Sequence, residues 1–218
     1  YDLFDKYLIK IFIGPIALAT YSIPQQLTGK LSVISKSFSA FLLPELSKKK
    51  SNSYNFEFSL KIFIKIIPLI IFLLLPLYPF ILKLWLGNSY NESILTLTKI
   101  FSLSVIFSCA SHILVTKFEA TKTLNKNLKI EFFLLPFFLG GLYFLTSQNF
   151  SLILISVLIL TKEVILFFLR LSILKRSIQK INHYYFYSLT LIIILIFSFI
   201  NVNLFYASLA FLALNILK

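Results

Sequence analysis

Eight apolar blocks follow one another along the chain with only short gaps between them, and this pattern limits the fold more than any single residue does. The blocks are a, 1–13; b, 17–43; c, 58–84; d, 93–116; e, 130–146; f, 150–173; g, 184–200; and h, 203–217. About 20 mainly apolar residues carry a helix across a bilayer. Block a is too short, at roughly 20 Å for a rise of 1.5 Å per residue, and the other seven are long enough or nearly so. Transmembrane β-strands would alternate polar and apolar residues over about ten positions, and these blocks do not. The expected fold is therefore all-α: a polytopic transmembrane helix bundle of seven to eight spans.

Composition agrees. Hydrophobic residues make up 58% and charged residues 13%, against about 25% charged in soluble domains. Mean hydropathy is +0.89. A water-soluble domain and a disordered chain are excluded. Cys109 is the only cysteine, which excludes a disulfide framework and a cysteine-based zinc site. The net charge of +13 sits mostly in the gaps, so it reads as membrane topology rather than as a nucleic-acid surface.

The gaps alternate in charge. Lys48, Lys49 and Lys50 follow block b; Lys117, Lys122, Lys126 and Lys129 flank the gap after block d; Lys175, Arg176 and Lys180 follow block f. The gaps between these carry nothing basic. By the positive-inside rule the Lys-rich gaps and the C-terminus at Lys218 are expected in the cytoplasm. Trp85 and Tyr90 are expected at the outer boundary, and Tyr184, Tyr185 and Tyr187 at the inner one. The chain has no Met and begins at Tyr1, so a piece of a longer protein is expected. No nucleotide-binding loop, zinc-protease or nucleophile-elbow motif occurs, and His112 and His183 stand far apart. No metal site or cofactor is expected, and no enzymatic activity.

Ionisable residues within membrane spans cost at least about 2.5 kcal/mol at the centre, so they usually face protein or a wet cavity. In block b, Ser22, Gln25, Gly29, Ser32, Lys36 and Ser39 step by three or four residues and share one helix face. Ile23, Leu27, Leu31, Ile34, Phe38 and Phe41 form an apolar stripe opposite. Gln26, Lys30 and Ser37 lie along a border between the two. The functional reading is a cavity wall that offers positive charge from Lys30 and Lys36. The competing reading is a packed polar seam with Lys30 paired to a carboxylate. In block a, Asp2 and Asp5 share a face, and Lys6 and Lys10 share another. Asp5 is either an ion-coupling carboxylate or the partner of Lys30. Block f holds Lys162, Glu163 and Arg170, read as an ion pair with another helix in preference to a channel face. Ser104, Ser108, His112 and Thr116 in block d step by four and read as packing residues. Pro68, Pro76 and Pro79 are expected to bend block c.

Asp5 to Leu27, DKYLIKIFIGPIALATYSIPQQL, resembles a segment of polysaccharide and O-antigen flippases of the multidrug/oligosaccharidyl-lipid/polysaccharide exporter superfamily. The matching features are Asp5 and Lys6, Leu8 and Ile9, Gly14, and Tyr21 and Ser22. Pro44, Glu45, Leu46 and Ser47 resemble the family's closing Pro-x-Leu-Ser pattern. Trp85, Leu86, Gly87 and Tyr90 resemble its turn after the ninth helix, and Glu163 its late glutamate. Lys6 stands where an arginine often occurs. The resemblance covers residues 1–175, in the order of a C-terminal lobe, and 176–218 would add a transmembrane hairpin.

The resemblance implies one lobe of a two-lobed carrier of the cytoplasmic membrane, which flips a lipid-linked oligosaccharide by alternating access. It implies an anionic lipid-linked sugar and membrane lipid as partners, a further N-terminal lobe, and no nucleic acid. With the polar face of block b, the expected substrate-binding residues are Lys30, Lys36, Gln25, Gln26 and Ser32. The expected ion-coupling or ion-pair residues are Asp5, Asp2, Lys6, Glu163 and Lys162. The other readings are a drug or cation exporter of the same superfamily, which calls for acidic rather than basic cavity residues, and a non-transporting partner subunit or truncated remnant. A membrane polymerase or ligase generally needs a sizeable outer loop, and none is present.

Overall fold

The structure is a computed structural model that describes residues 3–48 and 53–174. All of its regular structure is helical: α1 (Phe4–Phe12), α2 (Pro15–Leu46), α3 (Ser53–Leu74), α4 (Tyr78–Leu86), α5 (Glu92–Ala120), α6 (Leu124–Ser147) and α7 (Leu152–Leu174), with one 3₁₀ turn at Gly87–Ser89. Blocks g and h, the hairpin expected over 176–218, and the tyrosines expected at the inner boundary lie outside the described residues.

The breaks between helices have local causes. Gly14 takes φ +116°, a region open chiefly to glycine, and Pro15 restarts the chain at the first position of α2. Proline lacks the N–H that would continue the helix. Pro76 lies in the break between α3 and α4, Pro79 in the first turn of α4, and the two helices meet at 59°. Pro24, Pro44, Pro68 and Pro136 sit inside helices that continue past them. Asn91 caps α5, its side-chain oxygen accepting from the Ser93 N–H at 3.0 Å. The turns after α5 and α6 use left-handed Lys122 (φ 55°) and Asn149 (φ 53°). Each closes with paired bonds back into its helix: the Thr123 N–H to the Phe118 carbonyl at 2.9 Å, and the Phe150 N–H to the Leu145 carbonyl at 3.0 Å.

α5 is the central helix, packed against α2, α3, α6 and α7. The Tyr21 and Phe101 rings meet edge to face at 5.2 Å, and further along Ser35 and Lys36 lie beside Cys109 and His112. So α2 and α5 run parallel. α6 is antiparallel to α7, with its Asn127 bonded to Arg170 near the far end of α7. The apolar stripe expected on α2 does enter the core through Ile23, Leu27, Leu31 and Phe38, while Ile34 and Phe41 are exposed.

Three helices, α5, α6 and α7, are long and apolar enough to cross a membrane, and the bent α3–α4 pair makes a fourth if it counts as one span. Blocks a to f, the part of the expected seven to eight spans that falls within the described residues, thus supply three or four helices of this kind. α1 has nine residues. α2 has 32, but its Gln, Ser, Thr and Lys residues dilute its hydropathy. The outer surface suits lipid: Phe132, Phe133, Phe137 and Phe144 of α6 are all exposed, Phe132 by 78%. That much bare aromatic surface would be unstable in water. In a bilayer it is the surface expected of a membrane helix.

Candidate functional site

A cavity of about 530 Å³ is sunk into this bundle, within the ~300–1,000 Å³ range of ligand sites. α5 forms its floor, α2 and α7 its walls, and α1 and α6 contribute at the sides. The polar face predicted on α2 supplies Gln25, Gly29, Ser32 and Lys36, with Gln26 and Thr28 beside them. Ser22 and Ser39 of that face do not line the cavity. α5 supplies Ser104, Ser108, Ser111 and His112. This differs from the packing role expected of that stripe. The hydroxyls of Ser104 and Thr116 do bond back to main-chain carbonyls at 2.8 and 2.9 Å, but Ser108 and His112 face the cavity.

The end of the cavity nearest Gly14 is organised around Asp5, which is 3% exposed. A buried carboxylate needs donors. The Tyr21 hydroxyl donates to Asp5 Oδ2, Gln25 Nε2 donates to the same oxygen at 3.3 Å, and the Lys6 N–H donates to Oδ1 at 2.8 Å. Asp5 is thus bonded to Tyr21 and Gln25, and is not the partner of Lys30. Lys30 is exposed and does not line the cavity, because its border position turns it away from α5. It forms no ion pair among the described residues.

The opposite end is basic. Lys36 of α2, His112 of α5 and Arg170 of α7 converge there, and the charges of Lys36 and Arg170 both act on His112. Lys36 stands roughly 15 Å along the axis from Leu46, and His112 roughly 12 Å from Ala120. Arg170 is 6% exposed. Its Nε donates to Asn127 Oδ1 at 2.8 Å and its Nη2 to Glu131 Oε1 at 2.5 Å, while Asn127 Nδ2 donates to the same glutamate oxygen at 3.0 Å. The ion pair expected between block f and another helix is this one. Lys162 instead pairs with its own neighbour Glu163 at 3.1 Å and lies 4.8 Å from the centre of the Phe138 ring.

All three carboxylates in the lining, Asp5, Glu131 and Glu163, are engaged by protein donors. Of the four cations, Arg170 and Lys162 are paired, whereas Lys6 and Lys36 have no carboxylate partner among the described residues. Asp5 meets only uncharged donors, so by formal count the four cations and three carboxylates leave the lining at +1. Asp2 lies outside the described residues. The buried hydroxyl of Ser111 and the Gln25 Oε1 atom have no hydrogen-bond partner among the described residues. No group of three or more His, Cys, Asp or Glu residues able to hold a metal occurs among the described residues.

Sequence reasoning did not single out Glu131, Asn127 or Ser111. Glu131 lies one residue inside block e, next to Lys129, and reads there as part of a charged flank. The available signal was its match to Arg170, since an arginine inside an apolar block needs an acidic partner. No known protein family, curated protein or solved structure matches this chain.

Proposed function

We propose that this chain forms one lobe of a carrier in the cytoplasmic membrane that moves an anionic lipid-linked oligosaccharide across the bilayer by alternating access. One observation carries the reading: a polar cavity lies among apolar helices, its cations outnumber its carboxylates four to three, and Lys6 and Lys36 have no carboxylate partner among the described residues. A lysine ammonium is a point-charge partner for phosphate. Gln25, Gln26 and Ser32 stand on the same wall to bond sugar hydroxyls. The Ser32 hydroxyl donates to the Gly29 carbonyl at 2.7 Å and keeps its lone pairs for accepting. The lipid tail stays in the bilayer while the polar head crosses. The second lobe supplies the facing wall, and the Lys-rich ends and the C-terminus face the cytoplasm.

A drug or cation exporter calls for an excess of acidic groups, and here the cations outnumber the carboxylates. A non-transporting subunit would have no use for a cavity with unpaired cations. The test is flipping in vesicles that hold the purified full-length protein. A fluorescent pyrophosphate-linked oligosaccharide should cross about tenfold faster than an uncharged glycolipid with the same sugar, the discrimination expected from one charge-assisted contact. Equal rates for the two, or rates no higher than in protein-free vesicles, would reject the proposal.

A further inference from the structure

The geometry points to Glu131 as a built-in stand-in anion, which holds Arg170 until a phosphate-bearing ligand enters the basic end of the cavity and displaces it. The inference rests on the anionic-substrate reading above and deepens it by naming a binding residue and a competing contact.

Three observations meet at one place. Lys36 has no hydrogen bond or ion pair among the described residues, and it lies close enough to Cys109 and His112 for its charge to act on both. Two positions from Cys109, Ser111 is 1% exposed and its hydroxyl has no partner among the described residues. A buried hydroxyl without a protein partner is free to bond a ligand that reaches it. His112, the next residue, makes no side-chain hydrogen bond among the described residues and lines the same cavity.

Arg170 completes the cluster in a different state. Its guanidinium has five donors. Two of them are used on Asn127 and Glu131, and Nη1 makes no hydrogen bond among the described residues although Arg170 lines the cavity. Glu131 lines it too, with its side chain 30% exposed. An anion seated among Lys36, Ser111, His112 and Arg170 would therefore face the Glu131 carboxylate. Like charges brought close together repel, so ligand and Glu131 compete for the same guanidinium. The exchange swaps one carboxylate for one phosphate and leaves Arg170 paired throughout. It also breaks one of the two polar contacts between α6 and α7, leaving the Arg170 bond to Asn127 in place. Occupancy of the site is thereby coupled to the packing of two helices.

The test is isothermal titration calorimetry on the purified full-length protein in detergent. The probes are inorganic pyrophosphate and farnesyl pyrophosphate. Glu131→Gln should tighten pyrophosphate about tenfold by removing the competitor, and Lys36→Ala should weaken it about tenfold, each the size of one charge-assisted contact. Glu131→Asp, which keeps the charge but shortens its reach, should tighten it less, and serves if Glu131→Gln does not fold. Farnesyl pyrophosphate binding tighter than pyrophosphate supports a lipid-linked source. Equal binding keeps the anion site but points to a free anion, which overturns the lipid-linked reading alone. If Lys36→Ala weakens binding while neither Glu131 variant tightens it, the displacement idea fails and the anionic-substrate reading stands. If no probe binds the wild-type protein or any variant, both fail.

Discussion

Asp5 shows what one carboxylate asks of its surroundings inside an apolar bundle. It is almost completely buried, and the Tyr21 hydroxyl is its principal side-chain donor. Tyr21 is itself fully buried, with its ring against Phe101. Tyr21→Phe keeps the ring packing and removes the donor. The expected loss is about 1–3 kcal/mol, the penalty for an under-satisfied buried acceptor, seen as a lower unfolding midpoint in detergent. Asp5→Asn combined with Tyr21→Phe should lose less than the two single changes added together, because the two groups act as one unit. Additive losses would show that the Tyr21 contact does not support Asp5. At this scale the sequence was informative for α2: the three- and four-residue spacing of Gln25, Gly29, Ser32 and Lys36 marks the cavity wall. It was uninformative for Lys30, because a border residue turns inward or outward according to which neighbour packs there. It was also uninformative for Glu131, because pairing across 39 residues depends on how α6 lies against α7.

The helices follow the apolar blocks closely, since bilayer-scale hydrophobicity is a long-range and redundant signal. Block d, read over 93–116, is α5 over 92–120, and block f, read over 150–173, is α7 over 152–174. The joints were less legible. Gly14 and Pro15 announce their break, and Pro76 announces the one between α3 and α4, although the prolines inside α2 and α6 do not interrupt them. The left-handed turns at Lys122 and Asn149 carry no glycine to mark them. Asparagine tolerates that conformation and a β-branched residue does not. Asn149→Gly should therefore leave the unfolding midpoint unchanged or slightly raised. Asn149→Val should destabilise the α6–α7 turn by about 1–2 kcal/mol. A neutral Asn149→Val would mean that the backbone at 149 is not left-handed.

At the scale of the whole molecule, a furrow opens between α2 and α7 because both pack on α5 without closing on each other. Charge is distributed along it. The Gly14 end holds the Asp5 carboxylate, satisfied by protein donors, beside Lys6, and the other end holds Lys36, His112 and the Arg170–Glu131 pair. The separation follows from parallel α2, α5 and α7, which bring Lys36, His112 and Arg170 to one level of the bundle. That arrangement is invisible in any one block. It makes the charged residues of α2 unequal, with Lys36 in the cavity and Lys30 outside it. The most direct measurement is the flipping rate of a pyrophosphate-linked oligosaccharide in vesicles holding the full-length protein, compared between Lys36→Ala and Lys30→Ala. The expected result is about a tenfold loss for Lys36→Ala, matching one charge-assisted contact, and a rate within about twofold of wild type for Lys30→Ala. Wild-type flipping in Lys36→Ala, or a large loss confined to Lys30→Ala, would contradict the cavity as the path of the anionic head.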